Sequence, residues 1–332
     1  MPATITSIAH FVPEDVYDNH HFESYLDTSD EWIVQRTGIK ERRFLKEGAT
    51  SDLIVPAAKN CLEKRGITPQ DIDCVMVASV TPDHSFPITA AIVQRKLGIE
   101  KCWGFDMNAA CSSFVFALMT ACKLVESGAA KKLLLCGADK MSSIMNMQDR
   151  NQAVLFGDGG AVALIEMSDD PNLGFQDFIF NIDGTGESAL KLHAGGSARP
   201  ASIETVTNKE HYIHQDGQTV FKAAVKGMAD VSLEIMEKNN LKSDEIRWLI
   251  PHQANLRIIK ATADRMGINP DQVKINIDRF GNTTSATIPI CLSELCDDKL
   301  LKKGDNIVIS SFGAGFTWGA IYFKWNSNGH LD

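Results

Sequence analysis

"EIRWLIPHQAN" (residues 245–255) matches "DIDCVMVASVTP" (residues 71–82) in the type and order of its residues, and the match continues on both sides of the chain. The earlier stretch runs on through "AAIVQRKLGIEKCWGFDMNAACSSFVFAL" (90–118) to "ESGAAKKLLLCGAD" (126–139). The later one runs on through "IIKATADRMGINPDQVKINIDRFGNTTSATIPICL" (258–292) to "KKGDNIVISSFGAG" (302–315). "FGDGGAVALIE" (156–166) and "FGAGFTWGAIYF" (312–323) extend the pairing. Each copy predicts a short buried strand, Cys74–Ser79 or Arg247–Pro251. An amphipathic helix follows, ending at Gly98 or Gly267, where glycine suits a C-cap. A second strand, a small-residue turn, another helix and a third strand complete the unit.

Strands that alternate with helices imply largely parallel sheets covered by helices, and apolar runs without alternation fit strands buried on both faces. "TITSIAHFVP" (4–13) and "GFQDFIFNIDG" (174–184) read as the opening strand of each copy. "TSDLIVPAAKNCLEKRG" (50–66) and "TVFKAAVKGMADVSLEIMEKN" (219–239) read as the helices after them. The expectation is an α/β protein of two similar halves, 1–170 and 171–325, joined near Asp170–Leu173 by turn residues. Residues 326–332 are expected to form a flexible tail.

The chain has 332 residues, 44% of them hydrophobic, enough for one large domain or two intimate ones. A formal net charge of −9 argues against a general nucleic-acid binder. No apolar run reaches the roughly 18 residues of a membrane span, and the N-terminus lacks a basic-then-apolar signal segment. The eight cysteines include no C-x-x-C pair, and most lie in apolar stretches. Buried reduced thiols in a cytoplasmic protein are the plain reading.

One cysteine differs from the rest. Cys111 lies between a strand and the start of a helix, with alanines before it and serines after it. Unpaired N–H groups at a helix N-terminus stabilise a thiolate, so a lowered thiol pKa is expected there. Asn282 lies in the equivalent turn of the second copy, and His252 follows directly on a buried strand. A dyad between the halves would bring all three to one crevice at the carboxyl ends of strands. Taken singly, Cys111 reads as a buried structural thiol, His252 as structural and Asn282 as a turn residue. Taken together, they form a nucleophile with two hydrogen-bond partners, as in cysteine hydrolases and in acyl-transfer enzymes. No close His/Cys pair suggests a metal site.

"NAACSSF", "IPHQANLRI", "DRFGNTTSATIP", "FGAGFTWG", "TSDEWIVQRTGIKER" and "DRNQAVLFGDGGA" together resemble the beta-ketoacyl-[acyl-carrier-protein] synthase III family, from Thr4 to Lys324. The resemblance implies a thiolase-like fold, with duplicated βαβαβαββ halves in five αβαβα layers, and a homodimer. It implies a cytoplasmic enzyme that condenses acyl-coenzyme A with malonyl-acyl carrier protein to start fatty acid biosynthesis. No cofactor is implied, because acyl-coenzyme A is a substrate; nor is any contact with nucleic acid or membrane. Cys111 would carry the acyl group, with His252 and Asn282 hydrogen-bonding the malonyl thioester oxygen. The Cys111 and Ala314 backbone amides would form a second oxyanion site, where the family often has glycine at position 314. Thr28, Trp32, Arg36, Arg150 and Asn255 resemble coenzyme A contacts, with Trp32 and Arg150 sandwiching adenine. Phe86, Phe156 and Ile213 resemble acyl-pocket residues, Phe86 reaching across the dimer. Lys222 and Arg257 resemble contacts for the carrier protein. Asp264-Arg265 stands where the family often has two consecutive basic residues.

Other readings share these residues. A related ketosynthase III could load an unusual starter or serve a secondary metabolite. A thiolase would need a second cysteine near "SSFGAGF". A cysteine hydrolase would need His252 as a base and a path for water. A silent binding subunit has no use for an intact Cys111, His252 and Asn282.

Overall fold

The apolar runs build two sheets with the same strand order. A computed structural model describes residues 1–326; of the expected tail, residues 327–332 lie outside the described residues. The first sheet contains β1 (Ala3–Phe11), β2 (Cys74–Ala78), β3 (Trp103–Met107), β4 (Leu133–Asp139) and β5 (Gly159–Met167). The second contains β6 (Gly174–Ile182), β7 (Ile246–Pro251), β8 (Asn306–Gly313) and β9 (Thr317–Lys324). Their orders are β1-β5-β4-β2-β3 and β6-β9-β8-β7. β2 is parallel to β3 and β4, and β7 is parallel to β8. The opening and closing strands of each half pair antiparallel, Ala9 with Val162 and Ala320 with Ile179.

Seven helices of eight or more residues are described: α1 (Asp30–Thr37), α2 (Thr50–Arg65), α3 (Thr89–Leu97), α4 (Ser113–Glu126), α5 (Gly217–Lys238), α6 (Leu256–Met266) and α7 (Thr287–Asp297). Gly98 and Gly267 end α3 and α6 in the left-handed conformation at φ 70° and 66°, the matched C-caps expected from the repeat. Apolar residues of α4 and α7 share one buried cluster with β2, β4, β7, β8 and β9. α2 and α3 cover the outer face of the first sheet, and α5 and α6 cover that of the second. The result is the expected five layers, αβαβα.

The central layer is the most apolar. α4 buries Phe114, Val115, Leu118, Ala121 and Cys122 completely, each large side chain contributing roughly 1.5–3 kcal/mol of transfer free energy. Gly137 on β4 lets the halves close. A Cβ there would come within 2.9 Å of both the Phe114 ring and the Ser285 carbonyl oxygen.

The second half lacks one expected strand. The counterpart of β3 is reduced to a single parallel bridge between Leu249 and Val273. A side chain takes the place of the ladder. Gln253 Nε2 donates to the Lys274 carbonyl at 3.2 Å, and Gln253 Oε1 accepts from Asn276 N at 3.1 Å.

Candidate active site

The Cys111 turn is fixed from both halves. A single 3₁₀ turn, Ala110–Ser112, separates β3 from α4, with Ala110 at φ 51°. That region disfavours a residue with a Cβ, so the surroundings must hold it. Ser113 Oγ accepts from Ala109 N at 2.8 Å. From β8 and β9, Ser311 Oγ donates to the Cys111 carbonyl and Thr317 Oγ1 to the Ala109 carbonyl, both at 2.9 Å. Gly313 lies flat against the turn: a Cβ there would sit 2.8 Å from Cys111 N and 2.9 Å from Ser112 N.

Burial, reinforced by the nearby Asp139 carboxylate, pushes the Cys111 pKa up to about 12. This opposes the lowering expected from the helix terminus. The N-terminal dipole acts over one turn, whereas removing the sulfur from water penalises its anion more.

His252 follows β7, with its N–H on the Ser310 carbonyl at 2.8 Å. The side chain is 1% exposed, and burial pushes its pKa down to about 3, so it is neutral. Its Nδ1 lies 2.8 Å from Thr287 Oγ1. Asn282 joins the halves. Its N–H donates to the Leu155 carbonyl at 2.9 Å, and its carbonyl accepts from Gly157 N at 3.1 Å. Asn282 Oδ1 accepts from Thr284 N at 2.9 Å. That contact fixes which way the amide faces and leaves Nδ2 with two protons to donate.

Cys111, His252 and Asn282 line one cavity of about 750 Å³ together with Phe156, Phe312 and Gly313. Its solvent end holds Trp32, Arg36, Arg150 and Asn255. Ser29 caps α1 by accepting from Trp32 N, and this fixes where the indole stands. The Arg36 and Arg150 guanidinium carbons lie 4.5 and 5.1 Å from the Trp32 ring centroid. Arg150 also pairs with Asp27 at 3.4 Å, and at 5.1 Å from the indole it leaves no space for the adenine expected between them, so a planar, anionic ligand would stack there only once that guanidinium shifts.

Comparison with known proteins agrees with this geometry. The family model described as 3-oxoacyl-[acyl-carrier-protein] synthase III matches residues 105–184, and the model of that family's C-terminal part matches 236–325. The beta-ketoacyl-[acyl-carrier-protein] synthase III of Chlorobium chlorochromatii is 53% identical over 328 residues, covering 98% of this chain and 100% of its own. This chain belongs to the beta-ketoacyl-[acyl-carrier-protein] synthase III family. The solved enzyme from Thermus thermophilus is 41% identical with a TM-score of 0.90, covering 98% of this chain and 99% of its own. That from Aquifex aeolicus is 37% identical with a TM-score of 0.89, covering 97% and 100%. The chain is thus a condensing acyltransferase with the thiolase-like fold.

The cavity does not take in every residue expected from the family. Gly313 lines it, Ala314 follows directly outside the lining, and the Ala314 carbonyl accepts from Thr317 Oγ1. Ile213 is buried and outside the lining, whereas Leu190, His214 and Gln215 line it. Asn255 does line it, but its side chain has structural partners: Oδ1 accepts from Arg257 N at the start of α6, and Nδ2 donates to the Arg36 carbonyl. Thr28 lies outside the lining, with its hydroxyl buried and unpaired among the described residues. Phe86 also lies outside and is 87% exposed. Arg257 lines the cavity with its guanidinium 4.7 Å from the Phe221 ring, and Lys222 is exposed on α5 beside it. Arg265 pairs with Asp230 at 3.5 Å. Sequence reading missed His214, Gln215, Gln218 and Asp149 in the wall. Only the "DRNQA" motif pointed near any of them. No group of three or more His, Cys, Asp or Glu able to hold a metal occurs among the described residues, nor does any helix long and apolar enough to cross a membrane.

Proposed function

We propose that this protein transfers the acyl group of acetyl-coenzyme A, or another short acyl-coenzyme A, to Cys111. It then condenses that group with malonyl-acyl carrier protein to give 3-oxoacyl-acyl carrier protein, the first elongation of fatty acid biosynthesis. One observation carries the reading: Cys111, His252 and Asn282 share a cavity whose solvent end bears Trp32 with two guanidinium groups against its ring. Acyl-coenzyme A is a substrate and no resident cofactor takes part.

In the first step the Cys111 sulfur attacks the thioester carbonyl. The carbon–sulfur bond to the coenzyme breaks, and the thiol proton leaves with coenzyme A. The carbonyl oxygen meets the Cys111 amide beside Gly313, with Ala314 next along the turn. In the second step the malonyl carboxylate departs as CO2. Asn282 Nδ2 and His252 face the thioester oxygen on which negative charge then gathers. The enolate carbon attacks the acyl-cysteine and restores the sulfur. A preorganised donor of this kind contributes roughly 3–4 kcal/mol.

Trp32, Arg36 and Arg150 are assigned to the coenzyme nucleotide, with Thr28 and Asn255 supporting that end. Phe156 and Ile213 shape the acyl end. The bare Phe86 ring, and β3 lying at the edge of its sheet, support a homodimer in which Phe86 closes the other copy's pocket. Lys222 and Arg257 are assigned to the acidic carrier protein. The halves 1–170 and 171–325 supply the nucleophile and the His–Asn pair respectively. Eight free cysteines support a place in the reducing cytoplasm.

The test is incubation with acetyl-coenzyme A and malonyl-acyl carrier protein. CO2 release with a 3-oxoacyl product supports the proposal. Hydrolysis of acetyl-coenzyme A without condensation would favour a cysteine hydrolase.

A further inference from the structure

Arg42 is fully buried, and both oxygens that accept from it are neutral backbone carbonyls. It lies on a short strand, Glu41–Arg43, which pairs antiparallel with Val16–Asp18. Nη1 donates to the Tyr17 carbonyl at 3.0 Å and Nη2 to the Val154 carbonyl at 2.7 Å. Nε has no partner among the described residues, and the guanidinium carbon stands 4.6 Å from the Phe22 ring centroid. Burial pushes its pKa down to about 10, so the group is still charged at neutral pH. Withdrawing a guanidinium from water is costly, and a well-packed apolar side chain of similar volume often serves stability as well or better. Packing alone therefore gives no reason for arginine here. What arginine adds is a planar fork that ties together two carbonyls distant in sequence.

The Val154 carbonyl is where the fork meets the active site. Val154 ends the one-turn helix Arg150–Ala153, and Val154, Leu155 and Phe156 all line the cavity. Asn282 hangs on this stretch by its main chain. Its N–H on the Leu155 carbonyl and its carbonyl on Gly157 N make Phe156 and Asn282 a parallel bridge. The backbones on either side approach closely. A Cβ on Gly157 would lie 2.3 Å from the Phe280 carbonyl oxygen and 3.2 Å from Arg42 Cβ. A Cβ on Gly281, which has φ 64°, would lie 3.1 Å from the Leu155 carbonyl oxygen and 3.3 Å from Arg42 Cβ. Asp158 N donates to the Arg43 carbonyl at 2.8 Å. Residues 154–158 thus run as a strap between Arg42–Arg43 and the Asn282 turn, tied at one end by a main-chain bond and at the other by the guanidinium. The Cys111 turn has other supports, Ser311, Gly313 and Thr317, none of them on the strap.

We infer that Arg42 is a positioning residue for the condensation step: its hold on the Val154 carbonyl fixes the strap, and the strap fixes where Asn282 presents Nδ2 to the malonyl thioester oxygen. Arg42 itself touches no substrate. Losing the fork frees the Val154 end of the strap and lets the Asn282 main chain drift, while the nucleophile stays in place.

This role rests on the acyl-transfer reading, so the test has one arm without substrate. Arg42→Met keeps the length of the side chain and removes both donors. Arg42→Lys keeps the charge but offers a point donor in place of the fork. Thermal unfolding checks that each variant folds, and Arg42→Lys carries the test if Arg42→Met does not. Hydrogen-exchange mass spectrometry of the full chain should show faster exchange in both variants for peptides spanning residues 154–158 and 280–284, and unchanged exchange for a peptide spanning 105–113. Decarboxylation of malonyl-acyl carrier protein should fall by about 10- to 10²-fold, the cost of a displacement near 1 Å at a catalytic group, while acylation of Cys111 by acetyl-coenzyme A stays close to the parental rate. A merely structural role would lower both half-reactions together. Parallel losses, unchanged exchange at 280–284, or full decarboxylation by either folded variant would overturn the inference. A parent that neither takes up acetyl nor releases CO2 would remove the acyl-transfer reading and the condensation role with it, whereas the exchange result would still decide whether Arg42 holds the Asn282 turn.

Discussion

Gly313→Ala puts one methyl group where the structure has no room for it. The added Cβ would lie 2.8 Å from Cys111 N, 2.9 Å from Ser112 N and 3.1 Å from the Ala109 carbonyl oxygen. All three are backbone atoms, so no side chain can swing aside. Ordinary contact begins at 3.4 Å, so the nucleophile's turn and β8 must part by about 0.6 Å, a distance over which packed atoms repel steeply. Overpacking of this kind costs roughly 1–3 kcal/mol of stability, which lowers Tm by a few degrees. The catalytic loss should be larger in proportion. A displacement of about 1 Å at a reacting group costs about 10²-fold in rate, and the methyl also shields the Cys111 amide from the substrate oxygen. We expect acylation by acetyl-coenzyme A to slow by a factor between about 10 and 10³. Rapid-quench mass spectrometry measures acylation, and thermal unfolding measures stability. A variant acylated at the parental rate would refute the claim that this amide and its placement serve the first step.

Three further outcomes follow from the same geometry. Asn282→Asp keeps the acceptor for Thr284 N but removes the Nδ2 donor; decarboxylation of malonyl-acyl carrier protein should fall roughly 10²–10³-fold while Cys111 acylation persists, and an equal loss of both would reverse the assignment. Trp32→Ala should cost on the order of 1–3 kcal/mol in kcat/KM for acetyl-coenzyme A and little for an acetyl-pantetheine thioester, whereas equal losses would make Trp32 purely structural. His252 is held neutral down to about pH 3 in the folded protein but protonates near 6.5 when unfolded. Its stabilisation is thus complete above pH 6.5 and declines as the pH falls toward 3. Relative to His252→Gln, the parent should lose about 1.4 kcal/mol per pH unit between about pH 6 and 4, measured by urea unfolding, and parallel curves would show that the folded state accepts the proton.

The duplication made the fold legible, because a repeated strand–helix pattern constrains topology more than either copy alone. It also places Cys111 and Asn282 in equivalent turns. What escaped was set by contacts between distant backbones. The missing strand at Val273 depends on Gln253 side-chain hydrogen bonds, which leave no periodic trace. Asn255 reads as polar and available, yet it caps α6 and holds the end of α1. The position of Cys111 at a helix start is visible in sequence, whereas the burial and the Asp139 carboxylate that oppose it are not. Asp139 reads as an ordinary strand-end residue, since nothing in "LLLCGAD" reveals that Ser285 of the other half closes on it.

The central claim is that Cys111 alone carries the acyl group between two substrates. The most direct test is intact and peptide mass spectrometry of one turnover. Mixed with acetyl-coenzyme A, the protein should gain a single acetyl group, on Cys111 and on none of the other seven cysteines. Malonyl-acyl carrier protein should then discharge it, releasing CO2 and returning the enzyme to its starting mass. An acetyl group on Cys102 or Cys122, or one lost to water with no CO2 released, would contradict the account.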